Sequence, residues 1–142
     1  MTIMLKSKLI KNKIRDKSNR GEILSIVDEK VSNVSLITCN AGSIRSNHYH
    51  KKDFHFMFVL EGKIDYFYKS LTNETINYIK VLPGENIFTP NNEIHATFFP
   101  VKTKLIVSSG FPRDQTTYEN DTVRVNFLDH DNLEKMLHEY AQ

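Results

Sequence analysis

The chain has 142 residues, enough for one domain with a real core, and its 39% apolar and 25% charged content is ordinary for a globular protein. One cysteine, Cys39, excludes an internal disulfide framework, and no apolar run approaches the length of a membrane span. The net charge of +2 divides into +6 over residues 1–20 and −4 over the rest. The opening apolar stretch is too short for a signal peptide, so a cytoplasmic location is expected. The basic segment lacks the interleaved aromatics of single-strand binders and has no strong amphipathic face. It reads as a solvated arm, with neither nucleic acid nor membrane as a partner.

Residues 1–20 form an irregular or strand-like lead-in, broken at Gly21. Short β-type runs follow at 22–28 and 33–39, and Asn40-Ala-Gly42 makes a turn. Strands are predicted around 44–50 and 54–60, with Glu61-Gly62 as a tight hairpin and 63–69 as the return strand. Further strands fall at 76–81, 86–89, 95–99 and 104–109, punctuated by Pro83-Gly84, Pro90-Asn-Asn and Pro100. Residues 110–120 read as a loop and 123–127 as a last strand. From Asp131 the period changes: Leu133, Met136, Leu137 and Tyr140 share one face of a helix over 131–141, with Asp131 and Glu134 spaced as a capping box. Many short strands with regular turn signals argue for a sandwich or small barrel. The organisation is a basic arm, 1–20, and one domain, 21–142.

Chemistry concentrates in Gly42–Gly62. His48 and His50 are two apart, so on a strand they point the same way, and His55 follows five residues on. Gly42, five residues, His48-x-His50, four residues, His55, six residues, Gly62 is matched downstream by Gly84, five residues, Pro90-x-Asn92, two residues, His95, three residues, Phe99. The two stretches resemble the paired motifs of the cupins, which implies an all-β double-stranded β-helix, a jelly-roll barrel, here with a short C-terminal helix. His55 stands where those motifs have Glu, Asn92 where they have Gly, and Phe99 where they have Asn. Asn is the residue after Gly that best accepts left-handed backbone. On this reading Met57 and Val59 share the inward face of His55, and Phe56, Phe58 and Leu60 face the other way.

The resemblance implies a metal site of His48, His50, His55 and His95. Four neutral imidazoles give a soft ligand set without compensating charge, which suits Zn²⁺, Fe²⁺, Ni²⁺ or Cu²⁺. His130 and His138 fit no site and read as surface residues. Arg45-Ser-Asn-His48-Tyr-His50-Lys51 looks like the Arg-Gly-x-His-x-His-Lys string of cupins acting on nucleotide-linked sugars, with Ser46 in place of Gly. That implies isomerisation or epimerisation in cell-surface polysaccharide synthesis. His50 is then the base when no metal occupies it, Tyr66 or Tyr68 the acid, and Arg45 a grip on phosphate. An iron-dependent dioxygenase and a non-catalytic sugar- or metabolite-binding module are the alternatives. A homodimer, paired through 22–28 or the terminal helix, is expected.

Overall fold

The computed structural model describes residues 6–142. Two five-stranded antiparallel sheets face each other. One has the order β1 (Lys8–Ile10), β9 (Asn86–Thr89), β6 (His55–Glu61), β11 (Thr103–Ser109), β4 (Asn33–Cys39). The other runs β12 (Thr122–Arg124), β5 (Ser43–His50), β10 (Glu93–Phe99), β7 (Ile64–Ser70), β8 (Asn77–Val81). Strands β2 (Lys13–Ser18) and β3 (Gly21–Ser25) make a separate hairpin. From β4 to β12 successive strands alternate between the two sheets except at the β7–β8 hairpin, and this closes the jelly roll.

Side chains alternate across each sheet with the period of two that strands impose. Met57, Val59, Ile64, Tyr66, Val81, Ile87, Phe99, Leu105 and Val107 point between the sheets and form the barrel core. Phe67, Ile94 and Ala96, their neighbours on β7 and β10, form a second cluster outside it. Helix α2 (Leu133–Tyr140) covers that cluster with Met136 and the partly buried Leu133, Leu137 and Tyr140, the stripe read from the sequence. Its N-cap is Asn132 rather than Asp131, and no capping box forms. Asn132 and Asp129 instead exchange backbone-to-side-chain hydrogen bonds of 2.9 and 2.8 Å.

Three local outcomes differ from the expected elements. The 110–120 stretch holds a helix, α1 (Gln115–Asp121), capped by Asp114, which accepts from Thr117 N at 3.0 Å. It buries no residue, so it left no hydrophobic period to read. The last strand ends at Arg124, because the chain then turns inward to bury Phe127 and Leu128. The basic segment, of which residues 1–5 lie outside those described, is no free arm. Its β1 pairs with β9, and buried Ser7 reaches Tyr66 and Glu93.

Backbone φ explains two motif departures. Asn92 adopts φ 57° at the turn before β10, the left-handed conformation expected of it, and its N–H donates to the His50 carbonyl at 2.7 Å. Ser46 sits at φ 72° and Asn47 at φ 59°, beside a bulge in the β5–β10 pairing. The Asn47 side chain clamps Leu128 from both sides, donating to its carbonyl and accepting from its N–H, each at 2.8 Å.

Candidate active site

The register of β5 on β10 sets His48 directly opposite His95, and His50 follows on the same face of β5. His55 opens β6 in the facing sheet, so it meets the other three across the barrel. The rings stand 4.6 Å apart for His48–His50 and His50–His55, and 4.8 Å for His48–His95. All four are buried. The structure thus brings together the four histidines singled out in the sequence, but not around one point. Potential ligand atoms of His48, His50 and His95 lie within 4.8 Å of one another, and those of His50, His55 and Asp53 do the same. His50 belongs to both groups, and His55 is grouped with a carboxylate not singled out in the sequence.

Burial keeps these imidazoles neutral. Desolvation, then the neighbouring His95 and His50, pushes the pKa of His48 down to about 2. Desolvation takes His95 to about 4 and His55 well below the usual range. His50 also falls to about 4 by desolvation, but the Asp121 carboxylate pulls the other way. That carboxylate is 3.4 Å from Nδ1, and the Thr122 hydroxyl is 3.3 Å from the same nitrogen. Nε2 of His50 and Nε2 of His55 are buried and have no hydrogen-bond partner among the described residues. His95 Nδ1 lies 3.1 Å from the Glu93 carbonyl, which orients that ring as well.

Four further residues beside the cluster come from the stretch read as a loop and the two positions just after it. Arg113, Tyr118, Asp121 and Thr122 are carried by α1 and its flanks. The Arg113 guanidinium lies 4.9 Å over the Tyr118 ring and lowers the pKa of all four histidines. Tyr118 stands 5.6 Å from the His50 ring and 6.4 Å from His48. Asp121 also accepts from the backbone N–H groups of Lys52 and Asp53, at 2.8 and 3.1 Å, and so holds the β5–β6 turn in place. The only sequence signal for this group is the Asp114 cap.

A cavity of about 410 Å³ opens above the cluster. His48, His55, His95, Arg113 and Tyr118 form its polar wall, and Ile37, Met57, Phe99, Leu105 and Val107 its apolar floor. Arg45 and Ser46 lie at its rim. His50 sits one layer deeper, 1% exposed, against the rings of His48, His55 and Tyr118. The two tyrosines of β7 do not reach the cavity. Tyr66 stacks on His95, but its hydroxyl is held by Ser7 and Thr89 at 2.7 Å each, and burial raises its pKa further. Tyr68 lines a separate polar groove with Asn73, Asn77 and Asn92. Asp53 keeps one oxygen on the N–H groups of Phe54 and Phe111, at 2.9 and 3.0 Å.

No family model matches the chain, and no curated protein matches it in sequence. Solved structures do match in fold. The sugar 3,4-ketoisomerase QdtA from Thermoanaerobacterium thermosaccharolyticum, in complex with TDP, superposes with a TM-score of 0.69 at 20% identity, covering 91% of this chain and 92% of that one. The TDP-fucose-3,4-ketoisomerase WlaRA from Campylobacter jejuni gives 0.70 at 13% identity, covering 84% and 89%. The dTDP-6-deoxy-D-glucose-3,5-epimerase RmlC from Legionella pneumophila, in complex with dTDP-4-keto-L-rhamnose, gives 0.64 at 15% identity, covering 87% and 74%. With its paired five-stranded sheets, its histidines at the barrel mouth and these neighbours, the chain has the cupin jelly-roll fold.

Proposed function

We propose that the protein isomerises or epimerises a nucleotide-linked keto-sugar by moving a proton next to the carbonyl. The observation that carries this is His50, a neutral imidazole with Asp121 and Thr122 on Nδ1 and an unpartnered Nε2. The neighbours in fold, named as ketoisomerases and an epimerase of such sugars, support the same class. The carbon-bound proton passes to Nε2, and the electron pair moves into an enediolate. In isomerisation the proton returns from Nε2 to the former carbonyl carbon, and the proton of the hydroxyl that becomes the new carbonyl passes to the former carbonyl oxygen. In epimerisation a proton returns to the same carbon from the opposite face. Asp121 stabilises the imidazolium formed between the two steps. The Arg113 cation faces the developing oxyanion from the cavity wall. Tyr118, in the wall beside His50, takes the acid role expected of Tyr66 or Tyr68. Arg45, at the rim, holds the diphosphate.

His50 lies behind the wall, so the substrate reaches it only when a ring shifts. Tyr118 is the ring to move, because α1 buries none of its residues. Both histidine groups have the donors of a divalent transition ion, neutral imidazoles, and His50, common to both, is oriented through Nδ1 by Asp121 and Thr122. Bound there, such an ion would supply Lewis-acid polarisation of a carbonyl, with His50 as ligand in place of base.

The test is a panel of nucleotide-linked keto-sugars in deuterated water. Deuterium at a ring carbon, lost in His50→Asn, is the expected result. No exchange and no rise in melting temperature across the panel would remove the reading. Oxygen uptake by iron-loaded protein would then favour the dioxygenase. We also propose a homodimer in the cytoplasm. Val34 and Leu36 on edge strand β4 are 61% and 66% exposed, an apolar surface that a second copy would cover. A monomer by light scattering would remove the dimer.

A further inference from the structure

The turn between β5 and β6 places a carboxylate between two histidines, His50-Lys-Lys-Asp53-Phe-His55. We propose that His50, Asp53 and His55 form a site for a divalent transition ion, in preference to the group of His48, His50 and His95, with which it shares His50.

Three observations favour this group. First, the two imidazole nitrogens left buried and unpartnered, Nε2 of His50 and Nε2 of His55, both belong to it. A ring nitrogen sealed from water without a partner is costly, and an ion between the two satisfies both. Second, Asp53 is prepared for one remaining contact. Its Oδ1 is held by two backbone N–H groups, and Oδ2 lies 3.9 Å from His55 Nε2. Ligand atoms at about 2.1 Å from a tetrahedral ion stand about 3.4 Å apart, so the pair needs to close by roughly half an ångström. Third, charge decides between the two groups. The Arg113 cation lines the cavity beside His48, His55 and His95 and opposes a bound ion. Three neutral imidazoles offer nothing against it, whereas Asp53 brings a negative charge into the site itself. The turn is also rigid, because Asp121 holds the N–H groups of Lys52 and Asp53. Two nitrogens and one carboxylate oxygen suit Zn²⁺ or Fe²⁺ and leave open positions.

This site does not depend on the isomerase reading, since it is read from metal binding alone. Metal-stripped protein is titrated with Zn²⁺ by calorimetry, and Cu²⁺-loaded protein is examined by electron paramagnetic resonance. One ion per chain is expected, weakened at least about tenfold by Asp53→Asn and by His55→Gln, and by less than about threefold by His48→Gln or His95→Gln. The asparagine keeps the oxygen that the two N–H groups need, so the turn can hold. The copper spectrum of the unmutated protein should show coupling to two nitrogens. The proposal is overturned by an absence of binding, by coupling to three nitrogens, or by loss of affinity in His48→Gln and His95→Gln with Asp53→Asn unaffected.

Discussion

Replacing Asp121 by Asn removes a charge and little volume, and its effect can be worked from two distances. The carboxylate stands 3.4 Å from His50 Nδ1. With an effective dielectric constant of about 20, unit charges at that separation attract by about 5 kcal/mol. If about half of the imidazolium charge has developed in the transition state, the loss is about 2.5 kcal/mol, close to a hundredfold in rate. Stability should fall less. The asparagine oxygen still accepts one of the two N–H groups that Asp121 holds, those of Lys52 and buried Asp53. The other group costs about 1–3 kcal/mol if Asp53 N–H is the one left unpaired, and little if Lys52 N–H meets water. Deuterium exchange into the sugar reads the rate, and urea denaturation reads the stability. A folded Asp121→Asn protein exchanging within about threefold of the unmutated rate would refute the role of the carboxylate, and with it the assignment of His50 as base.

Acid should destabilise the metal-free protein through the same cluster. His50 and His95 titrate near 4 when folded, below the ordinary 6.5. Above pH 6.5 both states are neutral and the stability is fully present. Below it the unfolded chain takes up protons first, and each of the two costs about 2 kcal/mol by pH 5, levelling off below about pH 4. Urea midpoints unchanged between pH 7 and 5, with a chelator present, would contradict this. Gly62→Ala should destabilise by at least about 2 kcal/mol, because φ is 87° and the new methyl would overlap Thr103 Oγ1 and the Lys102 carbonyl. A thermal melt within a degree of the unmutated protein would count against it. Zn²⁺ in slight excess should suppress the exchange reaction by occupying His50, and a chelator should restore it; exchange unaffected by saturating Zn²⁺ would show that His50 stays free.

The half of the site on β5, β6 and β10 was legible because its signals are local. An i, i+2 pair of histidines on a strand needs no tertiary knowledge to be placed on one face, and turn residues bracket each strand. The half on α1 was not. Asp121 and Thr122 reach His50 from about seventy residues away, on a helix with no apolar stripe, and only the fold supplies that juxtaposition. Tyr66 and Tyr68 show the opposite failure. Two apart on β7, they share one face, but alternation does not say which part of the interior a strand faces. Tyr66 points into the packed end, and its hydroxyl is spent on Ser7 and Thr89. Asp53 sat in plain view between two histidines, masked by a family pattern that has a ligand at residue 55 instead.

The apolar floor of the cavity is built from the core itself. Met57, Phe99, Leu105 and Val107 hold the two sheets together and also set the shape that a ligand meets. A Phe99→Ala change would enlarge the space for a bulkier ligand and at the same time remove a fully buried ring, a loss of about 3–5 kcal/mol. Substrate range and folding stability are therefore selected on the same side chains. A lineage of this fold moving to a larger ligand needs stabilising changes elsewhere first, and the outer cluster beneath α2, which does not line the cavity, is where they can accumulate freely.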